Sequence, residues 1–237
     1  MVQIELGDIT IDVEQKNIKN IHLSVYPPNG KVKISAPDHM NLDTIRVFAI
    51  SKIKWIRNKQ KELKEQPRET IREFISKESH YLFGKRYLLK VIVSDMPYRV
   101  DLTHGEIVLY VKPSTTTERK KELVDEWYRQ QLKSKVPELI NKWEKVIGVK
   151  INEYGIKKMR TKWGTCNPVA KRIWLNLELA KKPIETIEYI IVHELVHLLE
   201  PSHNNQFIKY MDEFMPKWKF YRDELNQLPF GHIEWKY

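Results

Sequence analysis

Ten consecutive residues, Ile190 to Leu199, place two histidines and a glutamate in the order His193-Glu194-x-x-His197. Their apolar surroundings predict an α-helix, in which residues four apart lie about 40° apart around the axis. His193 and His197 therefore share one face. Two neutral imidazoles at that spacing, roughly 6 Å apart at Cβ, chelate one zinc ion. Glu194, one residue beyond the first ligand, is then placed as general base toward a metal-activated water. So short a motif also arises by chance on surface helices, but the flanks argue otherwise. Tyr189, Ile190, Ile191, Val192, Leu195, Val196, Leu198 and Leu199 make this helix apolar nearly all round. That pattern belongs to a core helix, where three ionisable groups are costly unless a metal or partners satisfy them.

Zinc needs a third protein ligand, and His203 follows His197 after Leu198-Leu199-Glu200-Pro201-Ser202. Pro201 ends the helix near Glu200, and Ser202 reads as the cap of a new helix beginning at His203 or Asn204. A chain that turns back within five residues brings His203 over the first two ligands. The spacing equals that of H-E-x-x-H-x-x-G-x-x-H zincins, with Glu200 standing where those have glycine. Glu200 and Glu213 are the competing third ligands.

The elements that must position these residues follow from the rest of the chain. Its 237 residues, 41% hydrophobic and 11% aromatic, suffice for one substantial core or two small ones. No run of 18 apolar residues suggests a membrane span, and Met1–Asp8 does not resemble a signal peptide. Cys166 is the single cysteine, so no intrachain disulfide forms, and a cytoplasmic protein is expected. The net charge of +10 is concentrated at Lys52–Lys64, Arg119–Lys135 and Lys157–Arg172. Solvated helix faces account for most of it. Weak nucleic-acid binding through this basic surface is the sharper alternative, without any recognised nucleic-acid motif.

Alternation predicts strands at Ile4–Leu6 and Ile9–Val13, and a β-hairpin joins Ile21–Tyr26 to Val32–Ser35 across Pro27-Pro28-Asn29-Gly30. A helix capped by Asn41 or Asp43 runs to about Gln66. Residues 1–66 thus form an N-terminal strand, hairpin and helix segment, separated at Gln66-Pro67 from a catalytic domain spanning 67–237. A short helix at Glu69–Ser79 is predicted next. Strands follow at Tyr81–Phe83, Tyr87–Ser94, Tyr98–Leu102 and Ile107–Lys112, then a long helix over 118–147 bent at Pro137. The catalytic block covers 151–226. In it, Ile156–Arg160, continued by Trp163–Cys166, is expected to lie antiparallel to Arg172–Asn176. Pro183 begins the metal helix, and one further helix runs from His203 to about Asn226, bent at Pro216. No internal repeat is visible.

Four segments resemble the YgjP-like metallopeptidases, relatives of the SprT-type and minigluzincin proteases. They are Met159-Arg-Thr-Lys-Trp-Gly-Thr-Cys166, Ile173-Trp-Leu-Asn-Leu177, the stretch Ile187–Leu198 and Ser202-His-Asn-Asn-Gln-Phe207. The N-terminal hairpin, Ile53-Lys-Trp-Ile56 and Phe83-Gly84 also fit, so the likeness spans nearly the whole chain. It implies an α+β, zincin-like fold with a mixed or antiparallel sheet and an HExxH helix. It further implies one zinc ion on His193, His197 and His203, with Glu194 as the catalytic base of a peptide or protein hydrolase.

On that reading, an extended substrate adds as a strand beside Arg172–Leu177. Asn176 and Asp212 are candidates for orienting the ligand imidazoles. Arg160 and Lys162 are candidates for facing substrate, whereas Trp163, Gly164, Cys166 and Tyr210 read as structural and His232 as a tail residue. Two rival readings remain open. One is a nucleic-acid-associated, SprT-like protease that trims bound proteins. The other is a structural zinc module, which would have no use for Glu194.

Overall fold

The computed structural model describes residues 2–26, 29–65, 72–159 and 162–227. The chain divides into two units, Met1–Pro67 and Arg68–Tyr237. In the first, strands β1 (Val2–Leu6), β2 (Ile9–Lys16), β3 (His22–Tyr26) and β4 (Lys31–Pro37) form a sheet of order β1-β2-β4-β3. The hairpin expected across residues 27–30 pairs β3 with β4 antiparallel, Tyr26 opposite Lys31; Pro27 and Pro28 themselves lie outside the described residues. Alternation sorts the two faces of this sheet. Ile9, Ile11, Val13, Val32, Ile34 and Ala36 are buried against Ile45, Ala49 and Ile56. The other face carries ion pairs, Lys31 to Asp12 at 2.8 Å among them. Asn41 caps the following helix by accepting from the Thr44 N–H at 2.8 Å. The single helix expected to about Gln66 is instead two, α1 (Leu42–Ser51) and α2 (Ile53–Glu65), interrupted at Lys52.

The second unit repeats this topology. Strands β5 (Ser79–Leu82), β6 (Lys85–Val93), β7 (Arg99–Leu102) and β8 (Glu106–Val111) take the order β5-β6-β8-β7. Antiparallel outer pairs again flank a parallel inner pair. Eleven residues beyond Gly30 comes the helix cap Asn41, and eleven beyond Gly105 comes the cap Thr116. The repeat escapes the sequence because it is carried by turn and cap positions rather than by shared residues. The short helix expected at Glu69–Ser79 is absent over residues 72–78. There Phe74 and Lys77 take positive φ values of 55° and 74°, and the Glu78 carboxylate accepts from the Glu73 and Phe74 N–H groups that a helix would have used.

Helix α3 (Thr117–Ile147) starts at the Thr116 cap and ends at Gly148, whose φ of 74° is the left-handed conformation glycine adopts freely. Its buried residues recur at helical spacing, from Val124 and Trp127 through Leu132, Val136 and Ile140 to Trp143 and Ile147. They share one core with a third sheet and with the helix that carries His193 and Glu194.

That third sheet has the order β10-β11-β9, built from β9 (Glu153–Lys157), β10 (Gly164–Asn167) and β11 (Arg172–Asn176). The segment read as one strand from Ile156 onward is therefore two. β11 runs antiparallel to β10, as expected, but parallel to β9. A 3-10 turn (Leu177–Lys181) leads to α4 (Ile184–Val196), with Pro183 at its cap. The last predicted helix is also two, α5 (Asn205–Phe214) and α6 (Trp218–Gln227), parted around Pro216. No described helix is long and apolar enough to cross a membrane.

Candidate metal centre

Helix α4 is held at both ends. At its start, the β5–β6 turn docks on the preceding 3-10 turn: Phe83 N–H donates to the Ala180 carbonyl at 2.8 Å and Gly84 N–H to that of Lys181 at 3.3 Å. Along its length Ile187, Ile190, Ile191, Val192, Leu195 and Val196 are buried. At its end the backbone tightens, Leu198 and Glu200 N–H donating to the Leu195 and Val196 carbonyls. The chain then turns at Pro201, and Asn204, rather than Ser202, caps α5 by accepting from the Gln206 and Phe207 N–H groups at 2.9 and 3.0 Å.

This turn brings His203 to the other two histidines. His203 Nε2 lies 2.9 Å from His193 Nε2, and one ligand nitrogen from each of His193, His197 and His203 falls within 4.8 Å of the others. A tetrahedral ion with nitrogens at about 2.0–2.1 Å holds them about 3.3 Å apart, inside that observed range. His197 Nδ1–H donates to the Glu200 carbonyl at 3.1 Å, which fixes the tautomer and leaves Nε2 as a lone-pair donor. Burial, reinforced by His197 and His203, pushes the His193 pKa down to about 3, and burial also lowers that of His197. Both rings are thus held neutral, the state a metal binds.

Phe207 forms the floor of the cluster, its ring centroid 5.0, 4.8 and 4.8 Å from those of His193, His197 and His203. In the sequence it stood out only as the last residue of the Ser202–Phe207 stretch, with no role of its own. Its place four residues after His203, in the helix expected to begin there, was the available signal. The Glu200 carbonyl was also missed, because a backbone acceptor leaves no mark on side-chain spacing.

Glu194 is 4% exposed, and burial, opposed by Lys162, raises its pKa to about 8. Against it lies Gly164, the first residue of β10, where a Cβ would stand 2.5 Å from Glu194 Oε1. Cys166 lies on the same strand. Burial and the nearby Glu194 raise its thiol to about 11, so it stays protonated and unreactive at neutral pH.

Several expected roles fall elsewhere. The competing ligands do not join the cluster: the Glu200 carboxylate accepts from Ser202 N–H at 3.1 Å, and Glu213 is exposed on α5. Asn176 and Asp212 do not orient the imidazoles. Asn176 Nδ2 donates to the carbonyls of Met159 and Lys162 at 2.9 and 2.8 Å, which fully occupies it as a donor. Asp212 accepts from Trp218 Nε1–H at 2.7 Å. Tyr210 stacks on Phe214, with ring centroids 6.0 Å apart. β11 is the central strand of its sheet, so no substrate can pair beside Arg172–Leu177. Arg160 and His232 lie outside the described residues.

Three imidazoles converging at the end of a helix that also carries a buried carboxyl, and at the turn that follows it, form the donor set of a metal centre. A family model, the YgjP-like metallopeptidase domain, matches residues 19–228, and the chain belongs to that family. Among solved structures it is similar to two archaeal metallopeptidase zymogens. Abylysin of Pyrococcus abyssi is 20% identical, with a TM-score of 0.36 over 38% of this chain and 90% of that one. Jannalysin of Methanocaldococcus jannaschii is 20% identical, with a TM-score of 0.34 over 39% of this chain and 94% of that one. Among curated proteins no sequence matches.

Proposed function

We propose that this chain is a zinc-dependent metallopeptidase that hydrolyses peptide bonds of peptide or protein substrates, with Glu194 as general base. The observation that carries the reading is the convergence of one nitrogen each of His193, His197 and His203 within 4.8 Å of one another, at the helix that also carries the buried Glu194. A zinc ion held by these three residues would supply Lewis acidity toward both the peptide carbonyl and the attacking water. Glu194 removes the proton of that water as it attacks, then delivers it to the departing amine nitrogen.

Recognition is assigned to β10. Trp163 accepts at its carbonyl from Asn176 N–H at 2.8 Å. Alternation along an antiparallel pair then turns Thr165 and Asn167 toward β11 and leaves the main-chain groups of Gly164 and Cys166 directed outward. The opposite edge strand is engaged, the Ile156 carbonyl of β9 accepting from Arg129 Nη1–H at 2.7 Å. An extended substrate added at β10 passes directly over Glu194, since Gly164 touches that carboxyl. Main-chain pairing of this kind predicts broad tolerance of substrate sequence.

The test is Glu194→Gln. Bound zinc, measured by atomic absorption, should be unchanged while hydrolysis of unfolded casein is abolished. Equal cleavage by variant and wild type refutes the assignment.

A further inference from the structure

An extended substrate held along β10 meets more than the Glu194 carboxyl, because the side chains of a strand fall on fixed faces. We propose that Cys166 is a specificity-determining residue of this centre. Its side chain is the wall against which the substrate packs the side chain two residues N-terminal to the one opposite Gly164. The assignment rests on the peptidase reading given above and on the β10 docking that goes with it.

The first argument is the face. Successive side chains of a strand point to opposite sides, so residues two apart share one side. A Cβ on Gly164 would stand 2.5 Å from Glu194 Oε1, which identifies the side of β10 turned toward α4 and its carboxyl. Cys166, two residues on and opposite Ile173 in the register, points to that same side. It is half-buried there, packed against the core that contains Ile173, Leu175 and the apolar residues of α4. Thr165 and Asn167 point the other way. Gly164 has no side chain, so within β10 Cys166 supplies the one side chain on the α4 face.

The second is the pairing. A strand added antiparallel, the more stable pairing per residue, sets one of its residues opposite Gly164 and the residue two earlier opposite Cys166. Directly opposed residues point to the same face with Cβ atoms about 4.5–5.5 Å apart, in side-chain contact. The residue opposite Gly164 lies over Glu194 and flanks the bond to be cut. The residue opposite Cys166 is therefore the second or third before that bond.

The third is a group on this face that lacks a partner. Glu194 is 4% exposed, and among the described residues no hydrogen bond or ion pair reaches its carboxyl. A buried polar group in that state calls for a bound molecule to complete its contacts. That molecule, lying against Gly164, must also pass Cys166. A protonated thiol is a small, apolar neighbour, so the subsite it walls suits a large apolar side chain.

The experiment compares wild type, Cys166→Leu and Cys166→Ser on peptides that carry Ala or Phe at the second or third residue before the cleaved bond. Wild type should prefer Phe at one of these two positions. Cys166→Leu fills the space and should lower the Phe-to-Ala ratio of kcat/KM there by about 10–100-fold. Cys166→Ser, close to cysteine in size, should hold that ratio within a few-fold. Each ratio compares two substrates of one variant, so partial loss of folding or of metal cancels. The same peptides, fluorescently labelled, are also bound to Glu194→Gln with and without Cys166→Leu. Anisotropy should show a matching shift in the ratio of dissociation constants. Ratios that Cys166→Leu leaves unchanged, or a shift on the C-terminal side of the cleaved bond, overturn the assignment. A wild type that cleaves no peptide, yet shows the binding shift, upholds Cys166 and refutes the peptidase reading instead.

Discussion

Gly164 lies so close to Glu194 that a Cβ built on it would stand 2.5 Å from Oε1 and 2.9 Å from Cδ. The only atoms able to yield are those of the glutamate side chain itself, since the helix behind it is packed in the core. Gly164→Ala should therefore swing the carboxyl out of register and leave the histidines in place. Displacement of a catalytic group by about 1 Å costs about 10²-fold. A kcat/KM lower by at least that factor, with wild-type zinc content, is the expected outcome, and an alanine variant of normal rate would mean the carboxyl does not work from this position.

The start of the metal helix rests on another glycine. Gly84 has a φ of 80°, and a Cβ there would meet Pro183 Cγ at 3.0 Å and Pro183 Cα at 3.2 Å. Gly84→Ala thus combines backbone strain with pressure on the N-terminal end of α4. Strain of this kind costs about 1–3 kcal/mol, which for a domain of this size lowers the melting temperature by several degrees. Calorimetry should show that loss. An unchanged melting temperature would indicate that the turn does not bear on Pro183.

The metal helix was legible in the sequence because its signal is local: two histidines at a helical spacing, inside an apolar run that can only be buried. His203 was legible for the same reason, as Pro201 forces the turn that returns it. The order of the third sheet was not. Ile156–Arg160, continued by Trp163–Cys166, read as one strand because the residues between the two stretches carry no glycine or proline to mark a break. Only the packing shows that β9 pairs with one side of β11 and β10 with the other, which makes β10 an edge strand. Asn176 was misassigned for a related reason. A buried amide needs partners, and sequence offered the imidazoles, whereas the fold offers the Met159 and Lys162 main chain. The repeated four-stranded topology was hidden because strand order depends on which edges meet, and residue type encodes that weakly.

Glu194 also makes a prediction about stability. Burial, opposed by Lys162, holds its folded pKa at about 8, above the ordinary value of 4.5. The folded chain therefore keeps a proton that the unfolded chain releases. Stability from this group is complete below pH about 4.5 and is lost as pH rises to about 8. In chelator-treated protein, the melting temperature of Glu194→Gln minus that of wild type should climb across this interval and level off beyond it. A difference that stays constant from pH about 5 to about 9 would place the carboxyl in water.

His203 is the one histidine of the three that no helix backbone fixes, since it precedes the α5 cap and is exposed. Its position depends on Asn204, whose side chain accepts from Gln206 and Phe207 N–H and so aims both His203 and Phe207. Asn204→Ala should cost about 1 kcal/mol of stability. It should also weaken zinc binding by about 10–100-fold, as loss of a group that orients a ligand does. His203→Ala removes a ligand nitrogen outright and should weaken binding further than Asn204→Ala, with a smaller effect on melting of the metal-free protein because its side chain is exposed. Competition against a chromogenic chelator measures both affinities. Zinc retained at wild-type affinity in His203→Ala would show that Glu213 or another group completes the coordination, and the turn at Pro201 would then lose its assigned purpose.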